Sequence, residues 1–61
     1  MRNPERIDEI CDALKYLWHL CPDLRFGQLI SDVYGITGNG KFFYMEDKEA
    51  LRRIEIWSSD K

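Results

Sequence analysis

Pro22-Asp23-Leu24-Arg25-Phe26-Gly27-Gln28-Leu29-Ile30 is the stretch on which the reading of this 61-residue chain turns. Proline has no backbone N–H and clashes with the turn before it, so Pro22 ends any helix that reaches it. Asp23 is a good acceptor for the free N–H groups of a new helix and is read as its N-cap. Beyond it Phe26, Leu29, Ile30, Val33 and Tyr34 recur at i, i+3, i+4, i+7 and i+8, which is one buried helical face. The spacing predicts a second helix from about Leu24 to Tyr34, with Arg25, Gln28 and Asp32 on its outer side. Gly27 costs roughly 1 kcal/mol relative to alanine inside a helix. The reading therefore gives it a packing role, a close approach to the first helix or to residues 42–45.

Upstream, Asn3 is a suitable N-cap and Pro4 suits a first helical position, with Glu5, Asp8 and Glu9 near the positive helix start. Ile7, Ile10, Cys11, Leu14, Leu17, Trp18 and Cys21 follow helical spacing, so helix 1 should run from about Pro4 to Leu20. Cys11 and Cys21 are read as small core hydrophobes. Ten residues apart on one helix, they lie about 15 Å apart, beyond the roughly 7 Å that a disulfide spans. Tyr16 and Leu20 occupy a different side of this helix. Either a later segment wraps over them or they form a contact surface.

Downstream, residues 35–40 hold three glycines and an asparagine and read as a loop. No Gly-Lys-Ser/Thr follows and no strand precedes, so the loop fails as a phosphate-binding motif. Lys41-Phe42-Phe43-Tyr44-Met45 favours extended backbone and is expected to lie as an aromatic strap across the helices, its rings packed into the core. Helix 3 should start after Asp47 as N-cap and run to about Trp57. Ala50, Leu51, Ile54, Trp57 and Ser58 share one face, and Glu49 and Arg53 form an i, i+4 pair. Ile56 falls off that face. The alternation at 54–57 also suits a short strand pairing with 42–44, so residues 53–57 stay open between helix and strand. Ser58 to Lys61 reads as a frayed tail.

The expected architecture is one all-α domain over residues 1–61, three helices with an extended strap between helices 2 and 3. Its expected core is Ile7, Ile10, Leu14, Leu17, Trp18, Phe26, Leu29, Ile30, Val33, Leu51, Ile54 and Trp57. A chain this short buries only about 60% of its unfolded surface, so that core is small.

Composition excludes more than it selects. Hydrophobic residues make up 44% of the chain, too many for a disordered one. The net charge is −2, the pI is about 5.2, and the nine basic residues are scattered. Nucleic-acid binders concentrate theirs in a patch, so nucleic acid is not the favoured partner. No apolar run approaches the roughly 20 residues of a membrane span, and the N-terminus lacks a signal-peptide segment. The expectation is a cytoplasmic protein with reduced thiols and no membrane partner. His19 is the single histidine and sits apart from Cys11 and Cys21, so neither a dyad nor a zinc site forms. No catalytic, metal-binding or cofactor-binding residue is assigned.

Three blocks in order carry a resemblance: Asn-Pro-Glu-Arg-Ile at 3–7, Pro-Asp-Leu-Arg-Phe-Gly-Gln-Leu-Ile at 22–30, and Phe-Phe-Tyr-Met-Glu-Asp at 42–47. Together they make the chain similar to short proteins of bacteria and their phages. The resemblance implies a compact cytoplasmic protein of prophage or accessory-genome type. It carries no activity, so no functional residue is transferred.

The expected function is a small non-enzymatic module that binds another protein, with a host protein as the natural target, or that forms a homodimer. The candidate contact residues are Tyr16, Leu20 and Ile56, apolar residues outside the three stripes. The alternative is a helix-turn-helix-like DNA-binding module in which Arg25 and Gln28, near the start of helix 2, reach base edges.

Overall fold

The computed structural model describes residues 2–35 and 42–59, which form three helices: α1 (Glu5–Leu20), α2 (Phe26–Tyr34) and α3 (Asp47–Ser59). None of them is long and apolar enough to cross a membrane. The all-α, three-helix architecture is therefore the one the sequence predicts.

Helix α1 begins as expected. The Asn3 side-chain oxygen accepts the Glu5 N–H at 2.9 Å, and Pro4 already has helical dihedrals. It ends at Leu20, before Pro22. Helix α2 begins later than expected, and its N-cap is Arg25 rather than Asp23. The cause lies in α1. The Trp18 indole N–H donates to the Leu24 carbonyl at 2.9 Å, so that carbonyl is held in the connection, and the first bond into α2 runs from Leu29 N–H to the Arg25 carbonyl. The Gln28 side chain reaches back to accept the Arg25 N–H at 2.9 Å, one half of a capping box. Gly35 closes α2 in the left-handed region (φ 57°), donating its N–H to the Ser31 carbonyl at 2.8 Å. The rest of the glycine loop and Lys41 lie outside the described residues.

Arg6 and Asp47 meet at 2.6 Å, joining the start of α1 to the start of α3. The Tyr34 hydroxyl donates to the Ala50 carbonyl at 3.1 Å, bringing the end of α2 to the start of α3. The core between the helices is Leu17, Leu29, Val33, Tyr34 and Ile54. Ile10, Leu14, Trp18, Cys21, Ile30 and Trp57 pack partly buried against it, and Leu51 is likewise half-buried. Full burial of a Leu or Ile contributes about 1.5–3 kcal/mol, so Leu17, Leu29 and Ile54 matter most.

Several expectations are corrected. Ile7 and Phe26, assigned to the core, are 51% and 53% exposed. Cys11 is exposed too, whereas Cys21 is half-buried and donates its thiol to the Leu17 carbonyl. In each case the residue keeps its helical spacing, but among the described residues no third layer covers that side of the stripe. Gly27 has no packing role: a Cβ built there meets nothing within 4 Å. Residues 42–44 form a turn, closed by Met45 N–H to the Phe42 carbonyl at 3.2 Å, rather than an extended strap, and they stand in solvent rather than in the core. Residues 53–57 are helical, and α3 continues through Ser58 and Ser59, whose hydroxyls bond the Ile54 and Glu55 carbonyls. The Glu49–Arg53 pair is present at 2.9 Å.

Candidate functional site

The most exposed apolar group among the described residues is the turn entering α3. Phe42 anchors it, its ring set edge-on against Tyr34 with centroids 4.9 Å apart. Tyr34 is in turn fixed by its bond to Ala50, and burial raises its phenol pKa above the usual value, partly offset by the Arg53 guanidinium. From this base Phe43 and Tyr44 project into solvent, 82% and 80% exposed. Their rings rest edge-to-face on each other, 4.9 Å between centroids. Beside them Glu46 is largely exposed, and the neighbouring cations Arg2 and Arg6 are already engaged with Glu46 and Asp47. The tip is thus an aromatic pair followed by two carboxylates.

A second apolar surface lies along α1. Cys11, Leu14, Lys15, Trp18, His19 and Pro22 line an open groove of about 450 Å³. Phe26 extends its wall, its ring 5.6 Å from that of Trp18.

Tyr16 and Leu20 are exposed, four residues apart on one side of α1. Residues 42–44 do not cover them, since Phe42 packs on Tyr34 and the next two rings stand free in solvent. Ile56 is exposed as well. It follows Ile54 by two residues, about 200° around the helix, and Ile54 is buried in the core. Ile56 therefore faces away from the core, on the back of α3. Arg25 and Gln28 are exposed at the start of α2, but the Gln28 carbonyl oxygen is committed to the helix cap. Among the described residues no three His, Cys, Asp or Glu side chains converge as a metal site.

The sequence assigns the aromatic tip and the groove residues Cys11, Leu14 and Trp18 to the core, and leaves Lys15, His19 and Pro22 outside it. A signal for the groove was present. The apolar residues of α1, from Leu20 through Leu17 to Cys11, cover about 180° at 100° per residue, far more than one buried stripe of about 100° needs. For the tip, three consecutive aromatic residues of high β propensity, Phe42, Phe43 and Tyr44, gave no sign that they would turn.

Comparison with family models, curated proteins and solved structures finds no match for this chain.

Proposed function

We propose that this protein is a small, non-enzymatic protein-interaction module, and that Phe43 and Tyr44 are its principal contact with an apolar cleft on another protein. The observation that carries the reading is the pair of rings held in mutual contact yet about four-fifths exposed. Aromatic side chains bury about 150–250 Å² each and dominate the energetics of interfaces. Rings already ordered against one another, on a turn anchored by Phe42 and Tyr34, lose less conformational freedom on binding.

The surroundings favour protein over the other classes of partner. Stacking on nucleic acid calls for a basic groove beside the aromatics, and an anionic membrane calls for free cations. Here the rings are flanked in sequence by Lys41 on one side and by Glu46, Asp47 and Lys48 on the other, and the nearby arginines are paired with the two carboxylates, which makes no basic groove. The helix-turn-helix alternative needs Gln28 free to reach bases, and its oxygen is bonded to Arg25. The resemblance to short phage-type proteins supports a cytoplasmic host protein as the target.

The test is capture from host lysate with and without nuclease, using the wild type and a Phe43→Ser/Tyr44→Ser variant. The variant alters exposed residues and should retain its helical circular dichroism. A partner held by the wild type after nuclease and lost by the folded variant supports the reading. Capture that nuclease abolishes, or that the variant retains, refutes it.

A further inference from the structure

The groove on α1 is one part of a longer stripe. Ile7, Cys11, Leu14 and Trp18 follow one another at intervals of 4, 3 and 4 residues, the spacing of a two-helix seam. Ile7 and Cys11 are exposed, and Leu14 and Trp18 are half-buried, their outer surfaces lining the groove. This is a second apolar face on a helix whose first face is already used by α3 and α2.

The stripe is self-complementary. Ile7 and Trp18 lie equally far from its midpoint, as do Cys11 and Leu14. A copy of α1 laid antiparallel about a two-fold axis through that midpoint sets Ile7 opposite Trp18 and Cys11 opposite Leu14, twice over, which is the self-matching a symmetric contact requires. Phe26, its ring tilted against that of Trp18, then lies beside the Ile7 end of the other copy.

The charges agree with that direction. Asp8 and Lys15 border the stripe on the same side, within about 20° of each other around the helix. In an antiparallel pair, like flanks face each other. Lys15 of one copy then sits within about 3 Å, along the axis, of the level of Asp8 in the other. Asp12 stands about 40° further round the helix and comes level with Asp12 of the other copy to within about 1.5 Å along the axis, so it adds nothing to the attraction. A parallel pair would instead set this charged flank against the apolar side bearing Leu14 and Cys21. We infer that the partner of the α1 groove is a second copy of this chain, packed antiparallel through Ile7, Cys11, Leu14 and Trp18 and registered by paired Lys15–Asp8 contacts. This surface is separate from the aromatic tip, and its test does not depend on the tip's partner.

The experiment is sedimentation equilibrium of the whole chain across micromolar concentrations, with circular dichroism to verify folding. The wild type should be dimeric. Cys11→Glu puts a charge at the centre of the seam, and Lys15→Glu sets like charges opposite each other. Each should weaken the dimer by at least about tenfold while leaving the helical spectrum unchanged. Asp8→Lys combined with Lys15→Glu restores opposite charges across the axis and should recover much of the association. A monomeric wild type overturns the inference. So does a dimer that survives Cys11→Glu but is broken by Leu20→Glu, since that places the contact on the other side of α1. Failure of the double exchange to recover any association overturns the antiparallel register.

Discussion

Two glycine-to-alanine substitutions should move stability in opposite directions, for reasons visible in the backbone. Gly27 lies in the first turn of α2, and its added Cβ would meet nothing within 4 Å. Alanine there removes chain entropy from the unfolded state and adds helix propensity, with no steric cost. The gain should be about 0.4–1 kcal/mol, the lower part of that range reflecting the end position. Gly35 also has open space around it, but its φ of 57° belongs to the left-handed region. There alanine should cost about 1–2 kcal/mol. For a domain of this size 1 kcal/mol corresponds to about 4–8 °C in Tm. Gly27→Ala should therefore raise Tm by about 2–8 °C and Gly35→Ala should lower it by at least about 4 °C. Thermal and urea unfolding followed by circular dichroism and tryptophan fluorescence measure both, with an unchanged urea slope showing that the surface exposed on unfolding is unaltered. A fall in Tm for Gly27→Ala would refute the reasoning, because it would mean that something packs closely on that position in solution.

The remaining predictions concern the core and its ties. Leu17→Ala should cost about 2–5 kcal/mol, a large share of the roughly 3–9 kcal/mol expected in total for 61 residues, whereas exposed Ile7→Ala should stay within about 0.5 kcal/mol. Urea titrations of the two variants check the contrast. Tyr34→Phe should lose about 0.5–1.5 kcal/mol at neutral pH with its bond to the Ala50 carbonyl. Burial raises the Tyr34 pKa, so its neutral form is favoured in the fold. That contribution is complete below the unfolded value and is lost as pH rises through the raised one. Between about pH 9 and pH 11 wild-type stability should accordingly fall more steeply than that of Tyr34→Phe, as unfolding curves at each pH will show. Asp47→Asn breaks the pairing of the α1 and α3 starts, but both side chains are over a third exposed. The loss should be under about 1 kcal/mol and should shrink in molar salt.

What the sequence by itself determined was everything that depends on local covalent chemistry and periodicity. Asn3, Pro22 and Gly35 mark helix ends because capping geometry, a missing N–H and a left-handed φ are properties of single residues. The 3.6-residue spacing of Leu29, Val33 and Ile54 with their neighbours placed them on buried faces. Tertiary structure decided which of several eligible faces found a neighbour. Ile7, Cys11 and Phe26 obey the same periodicity as Leu17 and Ile10, yet the two other helices cover only part of α1. The start of α2 moved to Arg25 because an indole from α1 took the Leu24 carbonyl, a contact between residues on separate elements. Residues 42–44 turn just before α3, so Phe42 alone of the three reaches the core, through Tyr34, and Phe43 and Tyr44 stand in solvent. Burial is a property of the whole packing arrangement, so a pattern of apolar residues states which side chains could be covered, and only the assembled helices state which are.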